Sequence, residues 1–169
     1  MSILIVDNFF EENNFKKLQE ALLGGWFPWY FTNGVVDLDA ENSQMYDFQF
    51  THTFYRDDKQ TSDWFHLLNE FVEKIKPATL VRVKANLLTI SEKELMFDYH
   101  IDIDDMLDGK TAVLYVNTNN GFTVFEDGTR VSSVANRLVI FDSNLKHTGT
   151  TCTDQKTRCV INFNYIETL

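Results

Sequence analysis

The sequence has few of the residues that mark fibrous, unfolded or disulfide-stabilised chains. Its 169 residues include only seven glycines, two prolines and two cysteines. So little glycine and proline excludes a collagen-like or low-complexity chain. The two cysteines are Cys152 and Cys159, and their spacing fits no common zinc or redox motif. We therefore expect two reduced thiols in a cytoplasmic protein.

Positive charge is also scarce. Fifteen lysines and arginines stand against 25 aspartates and glutamates, which gives a formal net charge of −10. Because phosphates are contacted chiefly by Lys and Arg, this balance argues against a nucleic-acid partner and an anionic membrane surface. The opening residues 1–6 lack a positive segment and reach an acid at Asp7, so they are too short for a signal peptide or a membrane span. The composition leaves the oligomeric state open.

Aromatic residues are abundant, with 15 Phe, six Tyr and three Trp. A chain of this length can bury one sizeable core but is short for two. The hydrophobic period changes from helical to strand-like near residue 79. We therefore expect a single domain over 1–169, with helical and irregular support in 1–78 and a β-rich core in 79–169.

The N-terminal support contains two predicted helices and two predicted strands. Apolar residues recur at helical spacing between Asn8 and Gly24 and again between Ser62 and Pro77. Residues 3–6 and 48–55 have strand character, and His52 lies on the apolar face of the second strand, where a hydrogen-bonded core histidine is favoured over a ligand. The aromatic run 26–31 either lines a pocket rim or closes the end of the core. Residues 32–46 read as irregular.

The second half of the chain has the signature of antiparallel β-structure. Apolar residues alternate with period two, and turn signals such as Asn120-Gly121 and Asp127-Gly128 recur every eight to twelve residues. This pattern predicts a mainly β fold, a double-stranded β-helix or jelly roll, with the N-terminal helices packed on one sheet. The predicted strands are about 80–90, 95–103, 111–118, 122–126, 130–134, 137–141, 146–149 and 158–166.

One short stretch carries candidate metal ligands. In an extended strand, His100 and Asp102 project to the same face, opposite the apolar residues beside them. With His147 from a distant strand they match the two-histidine, one-carboxylate triad of non-haem Fe(II) oxygenases. A His-x-Asp pair alone is common by chance, and a polar strand face usually meets water. The interpretation therefore depends on the ordered series His100, Asp102, His147 and Arg158.

Arg158 begins the last predicted strand and belongs to its polar row, with Asn162 and Asn164. A buried guanidinium without a partner is strongly unfavourable, so an inward Arg158 must meet a partner. Its planar fork suits a carboxylate held by two hydrogen bonds, such as the far end of a small dicarboxylate. The alternative for Arg158 is a surface salt bridge.

Taken together, these segments resemble the 2-oxoglutarate- and Fe(II)-dependent dioxygenases, in particular the prolyl 4-hydroxylase-like branch. The resemblance covers roughly residues 80–166 and implies Fe(II), 2-oxoglutarate and O2 as cofactor and cosubstrates. It implies that His100, Asp102 and His147 are the metal ligands and catalytic residues. It also implies that Arg158 and Tyr115 bind the distal carboxylate of 2-oxoglutarate. From the sequence, Tyr115 could equally be a core aromatic. Asn86 is implied to lie on a strand that contacts the cosubstrate. The segments are Arg82-Val83-Lys84-Ala85-Asn86-Leu87, His100-x-Asp102, Leu114-Tyr115-Val116-Asn117, Asn120-Gly121-x-Thr123, Asn136-Arg137-x-Val139-x-Phe141-Asp142, His147-x-Gly149 and Arg158-x5-Asn164.

The activity that this resemblance implies is hydroxylation of a C–H bond with release of succinate and CO2. The expected substrate is a small molecule, a peptide or a protein, with peptidyl proline as the first choice and a free amino acid as another. One alternative is a different metal-binding, cupin-like jelly-roll enzyme. Another is a non-enzymatic, calcium-stabilised module, but the acidic cluster fails the EF-hand pattern because Met106 and Tyr115 stand where ligands are needed. The acidic cluster is Asp98, Asp102, Asp104, Asp105 and Asp108.

Overall fold

The computed structural model describes residues 3–36, 45–103 and 109–168. No helix in these ranges is long and apolar enough to cross a membrane. The elements in chain order are β1 (Ile3–Val6), α1 (Glu12–Leu23), β2 (Tyr30–Asn33), β3 (Phe48–Arg56), β4 (Lys59–Gln60), a 3-10 helix (Asp63–Leu68), α2 (Asn69–Ile75), β5 (Thr79–Thr89), β6 (Lys110–Tyr115), β7 (Phe122–Phe125), β8 (Arg130–Ser132), β9 (Leu138–Asp142), β10 (His147–Gly149) and β11 (Thr157–Ile166).

The strands form two antiparallel sheets. The larger sheet has the order β1-β9-β6-β11-β5-β3-β2, with β4 attached to β3, and the smaller sheet has the order β10-β7-β8. Apolar residues from both sheets pack together, for example Val113 and Tyr115 of β6 with Phe125 of β7. The mainly β, jelly-roll fold class predicted from the sequence is confirmed.

Seven of the eight strands predicted after residue 79 are present, with ends shifted by a few residues. The prediction of a continuous strand over 95–103 was wrong, because this segment bridges only at Met96 with Thr150 and at His100 with His147. Between these bridges the Thr148 hydroxyl, instead of a backbone amide, donates to the Phe97 carbonyl. The ladder of backbone hydrogen bonds between this segment and residues 147–150 is thereby interrupted just before the candidate metal ligands.

The N-terminal support contributes more strand than the sequence suggested. β1 pairs with β9 at one edge of the larger sheet, and β2 and β3 extend the other edge beyond β5. β2 begins inside the aromatic run 26–31, where Phe27 is buried while Trp26, Tyr30 and Phe31 are exposed. The sequence predicts an irregular segment over 32–46, and residues 37–44 of it lie outside the described residues.

The helices cover one face of the larger sheet. In α1, Phe15, Leu18 and Leu22 recur at helical spacing and are buried in the main apolar cluster. The second predicted helix divides into the 3-10 helix and α2, whose Phe71 stacks on Phe163 of β11 with ring centroids 3.7 Å apart. This packing leaves the opposite face of the sheet turned toward the smaller sheet.

His52 is a core histidine with both ring nitrogens hydrogen-bonded, as the sequence predicted. Its Nδ1 lies 2.8 Å from the carbonyl oxygen of Pro28, and its Nε2 lies 2.7 Å from Oγ of Ser62. The carbonyl can only accept, so Nδ1 carries the proton and Nε2 accepts from the Ser62 hydroxyl. Phe27 and Phe54 pack against the imidazole, with ring centroids 4.5 and 4.8 Å away.

Candidate metal centre and cosubstrate pocket

Three predicted ligands converge between the two sheets. One ligand atom from each of His100, Asp102 and His147 lies within 4.8 Å of the other two. Nε2 of His100 is 4.0 Å from Oδ1 of Asp102, and Nε2 of His147 is 3.9 Å from Oδ2. The backbones of the two histidines exchange a pair of 3.0 Å hydrogen bonds, N–H of each to the carbonyl of the other. This single antiparallel bridge places both imidazoles on the same side.

The outer nitrogen of each imidazole faces a backbone carbonyl. Nδ1 of His100 lies 3.3 Å from the oxygen of Asp98, and Nδ1 of His147 lies 3.1 Å from the oxygen of Leu145. Because a carbonyl only accepts, each Nδ1 carries the hydrogen and a neutral ring leaves Nε2 with a free lone pair directed toward Asp102. This arrangement fixes the tautomer that metal ligation through Nε2 requires.

The pKa of His100 also favours ligation. Burial lowers it below the usual value, and a protonated His147 would lower it further, while Asp102 opposes the shift. The neutral imidazole is therefore favoured at neutral pH, and a metal ion needs that form.

Asp102 is ionised although its side chain is only 6% exposed. Burial alone would raise its pKa, but His147, Arg82 and a hydrogen bond from Asn164 together hold the pKa well below the usual range. Arg82 Nη2 lies 3.1 Å from Oδ1, and Asn164 Nδ2 lies 3.1 Å from Oδ2. Asn162 Nδ2 adds a longer contact of 3.4 Å to each oxygen. The carboxylate is thus held as an anion by cationic and amide groups.

The partners of Asp102 were not singled out as site residues from the sequence. Arg82 of β5 and Asn164 of β11 stand directly opposite each other in the sheet register, and Nε of Arg82 donates to Asn164 at 3.0 Å. Period-two alternation already places Asn162 and Asn164 in one row with Arg158. A correct pairing of β5 with β11 would have added Arg82 to that row, but the sequence alone does not fix the register.

Arg158 is only 4% exposed and is held without a carboxylate partner among the described residues. Its Nε donates to Oγ of Ser133 at 2.9 Å, and its Nη2 donates to Oγ1 of Thr123 at 3.2 Å. These neutral hydroxyls fix the guanidinium but do not neutralise it. A surface salt bridge, the alternative considered above, does not describe this side chain.

Two glycines make room for Arg158. A Cβ atom at Gly121 would lie 2.7 Å from Cδ of Arg158, and a Cβ at Gly149 would lie 3.1 Å from its Nη1. Both distances are shorter than ordinary van der Waals contact, so a side chain at either position would displace the arginine. The glycines of the Asn120-Gly121 and His147-x-Gly149 segments therefore shape the pocket around the guanidinium.

A cavity of about 70 Å³ connects the metal ligands with Arg158. Its wall includes the predicted residues His100, Asp102, His147, Arg158 and Asn86. Apolar side chains, among them Leu88, Val113 and Val160, complete the lining.

Tyr115 is the sixth predicted site residue and lies behind the cavity wall. It is fully buried in the apolar cluster between the sheets, and its hydroxyl donates to Oγ1 of Thr123 at 2.8 Å. Thr123 in turn holds Arg158, whose guanidinium carbon is 5.7 Å from the Tyr115 ring centroid. Tyr115 is thus a core aromatic, as one of the two interpretations of the sequence predicted. The other interpretation, a hydrogen bond to the cosubstrate, stays a prediction.

The acidic cluster that could suggest calcium does not converge in the described part of the chain. Asp98 is exposed, whereas Asp102 points into the cavity. The other members, Asp104, Asp105 and Asp108, lie outside the described residues.

Comparison with solved structures places this architecture among known oxygenase folds. An oxidoreductase of the 2OG-Fe(II) oxygenase family from Burkholderia pseudomallei aligns with a TM-score of 0.68 at 12% identity, over 96% of this chain and 84% of that one. A Trichoplax adhaerens prolyl hydroxylase, solved with a hypoxia inducible factor peptide, aligns with a TM-score of 0.66 at 18% identity, over 98% and 83%. The α-ketoglutarate-dependent epimerase SnoN from nogalamycin biosynthesis aligns with a TM-score of 0.67 at 13% identity, over 98% and 77%.

No family model matches the sequence, and no curated protein matches it significantly. At these identities the structural matches establish the fold. The chain therefore has the double-stranded β-helix fold of the 2-oxoglutarate- and Fe(II)-dependent oxygenases, as the sequence resemblance implied. Within that fold it also carries a His-x-Asp…His cluster.

Proposed function

We propose that the protein is an Fe(II)- and 2-oxoglutarate-dependent oxygenase that hydroxylates a C–H bond of an amino-acid or peptidyl substrate. One observation supports this most directly: a two-histidine, one-carboxylate cluster shares a cavity with a buried arginine that has no carboxylate partner among the residues described. Such a triad is typical of non-haem Fe(II) oxygenases. A metal-binding jelly roll that did not use a diacid would have no need of the isolated guanidinium, whose burial is unfavourable by itself.

His100, Asp102 and His147 would hold Fe(II), since both imidazoles present a free Nε2 and the carboxylate is ionised. Arg158 would bind the distal carboxylate of 2-oxoglutarate, and the hydroxyls of Ser133 and Thr123 would keep its fork in position. When bound, the iron and 2-oxoglutarate supply the oxidation, in which O2 is consumed, succinate and CO2 are released and a substrate C–H bond becomes C–OH.

The apolar wall has a role in this chemistry as well. Leu88, Val113 and Val160 line the cavity around the charged groups. An apolar lining lowers the local dielectric constant and strengthens the attraction between Arg158 and an anion. This attraction offsets part of the free energy needed to remove the two charged groups from water.

The substrate class is a narrower part of the proposal. The similar proteins include a prolyl hydroxylase solved with a peptide and an epimerase, so proteins that share this fold differ in reaction and substrate. Peptidyl proline and free amino acids are the first substrates to assay. The prolyl hydroxylase similarity supports the former.

The decisive experiment is an anaerobic titration of the protein with Fe(II) and 2-oxoglutarate, monitored by the charge-transfer absorption of a chelated keto acid. We expect this absorption in the wild type and none in His147→Ala, which loses one of the three ligands. His147→Ala should also abolish succinate formation while the domain stays folded by circular dichroism. His66→Ala, which changes an exposed histidine outside the cavity, is the matched control and should behave like wild type. Unchanged turnover in His147→Ala would refute the proposal.

A further inference from the structure

Lys84 is a cation in the cavity to which the proposed reaction assigns no role. It projects from β5 into the same cavity as the metal ligands and Arg158. Arg82 is paired with Asp102, and Arg158 is hydrogen-bonded to Ser133 and Thr123. Among the described residues, Lys84 has no hydrogen-bond or ion-pair partner.

The sheet register separates Lys84 from Arg158. In the pairing of β5 with β11, Arg158 stands opposite Leu88 and Asn162 stands opposite Lys84. Four residues along a strand correspond to about 13 Å, so the Cα atoms of the two residues lie at different levels of the cavity. Lys84 is instead level with Asn162, which contacts the Asp102 carboxylate.

The charges around Lys84 make an anion favourable at its level. Burial and the charges of Arg82 and Arg56 together lower the pKa of Lys84 to about 8, although Asp102 opposes the shift. The ammonium is still mostly protonated at pH 7. A divalent metal ion bound to the triad would add electrostatic repulsion. A bound carboxylate would offset both the desolvation of the ammonium and this repulsion.

Two amide oxygens in the cavity have no donor in the described part of the chain. They are Oδ1 of Asn162 and Oδ1 of Asn86, both buried. The amide nitrogen of Asn162 is directed at Asp102, so its oxygen is the atom left for a ligand. Buried acceptors of this kind take N–H or O–H groups from water or from a ligand. 2-Oxoglutarate is a dianion and offers no such donor.

We infer that Lys84 binds a carboxylate of the primary substrate, while Asn162 and Asn86 accept hydrogen bonds from an N–H or O–H group next to that carboxylate. This inference rests on the proposed function, because it assigns Arg158 and the triad to the cosubstrate and the metal. The substrate class is therefore an amino acid or an acylated amino acid with a free carboxylate. Lys84 is a specificity-determining residue in this scheme.

The test uses the anaerobic protein loaded with Fe(II) and 2-oxoglutarate and measures probe binding by calorimetry. The probes are N-acetylglycine, its uncharged analogue N-acetylglycinamide, and acetate, which has the carboxylate without the N–H donor. We expect N-acetylglycine to bind ~10-fold or more tightly than the amide, as for one charge-assisted hydrogen bond. The affinity for acetate should fall between the affinities for the other two probes.

Two variants assign the effect to Lys84. Lys84→Met removes the charge and keeps the length of the side chain, and it should erase the preference for N-acetylglycine over its amide. Lys93→Met, at an exposed lysine outside the cavity, should leave that preference unchanged. The charge-transfer absorption with 2-oxoglutarate should persist in both variants, which shows that each one is folded and loaded.

Three outcomes would overturn the inference. Wild-type protein that binds no carboxylate probe, or binds acid and amide equally, has no anion site at Lys84. Retention of the preference in Lys84→Met would place the site elsewhere. Loss of 2-oxoglutarate affinity in Lys84→Met, as large as in Arg158→Met, would assign Lys84 to the cosubstrate. A wild-type protein without the charge-transfer absorption would instead refute the proposed function, so the two failures are distinguishable.

Discussion

The two faces of β11 show how one strand serves two different interiors. Its odd-numbered residues pack against the helices in the main apolar cluster, and its even-numbered residues face the cavity between the sheets. The first set is Cys159, Ile161, Phe163 and Tyr165, and the second is Arg158, Val160, Asn162 and Asn164. Residues of both sets are buried, so burial alone does not distinguish a structural side chain from a functional one.

What distinguishes the two faces is the completeness of their contacts. On the helix side, Phe163 and Tyr165 are about 1% exposed; Phe163 stacks on Phe71, and Tyr165 meets the same ring edge to face. On the cavity side, within the ranges that the structure describes, Arg158 has no carboxylate partner and Asn162 has an amide oxygen without a donor. Buried polar groups with unmet partners destabilise the folded state, so we expect them where binding supplies the partner.

The largest effect should come from breaking the apolar face. Phe163→Ala removes a ring packed face to face on Phe71 and should lower the free energy of unfolding by about 3–5 kcal/mol, as for other buried phenylalanines. Urea unfolding measures this change. Phe31→Ala is the control, because Phe31 is 64% exposed and its loss should matter far less. Equal losses at the two positions would contradict the assignment of the core.

Removing the cavity arginine should sharpen the contrast, because function and stability should change in opposite directions. Arg158→Met deletes the proposed anchor and should raise the 2-oxoglutarate KM ~10-fold or more. The melting temperature should hold or rise, since an uncompensated buried charge is removed. Succinate formation and thermal unfolding report the two quantities.

The control for that experiment is Arg130→Met, which changes an exposed arginine paired with Glu94 at 3.4 Å. Neither the KM nor the melting temperature should move appreciably. If Arg158→Met lowered the melting temperature and left the KM unchanged, Arg158 would be a structural residue.

The smallest predicted effect is on the pH dependence of folding stability, and it concerns His52. Burial lowers the pKa of His52, and the Pro28 carbonyl opposes this shift only in part. The folded state therefore prefers neutral His52, so stability is lost as the pH falls from the unfolded value near 6.5 toward the lowered folded value. His52→Gln should flatten the loss of stability between pH 7.5 and 5.5, measured by chemical denaturation. An unchanged slope would show that other groups cause the pH dependence.

Much of the contrast between the two faces of β11 could be predicted from the sequence, because the alternation of apolar and polar residues with period two is directly visible in it. The alternation and turn signals after residue 79 predicted the jelly-roll fold, and the ordered series His100, Asp102, His147 and Arg158 predicted residues that converge on the cavity. The interrupted ladder over 95–103 was missed, since alternation indicates an extended chain but not where its backbone hydrogen bonds go.

Other contacts leave no side-chain signal. The carbonyl oxygens of Asp98 and Leu145 fix the histidine tautomers, but any residue type offers a carbonyl. Arg82 reaches Asp102 only because β5 and β11 pair in one register. The pairing of strands distant in sequence is set by the whole fold, so the sequence alone does not predict such contacts.

The glycines beside Arg158 have a consequence for the energetics of binding. Gly121 and Gly149 let the arginine lie in a narrow slot, where Ser133 and Thr123 hold it before any ligand arrives. An arginine side chain carries roughly 2 kcal/mol of rotamer entropy, and here that entropy is lost during folding. Association of the diacid then meets a preorganised receptor, so more of the contact energy appears as affinity.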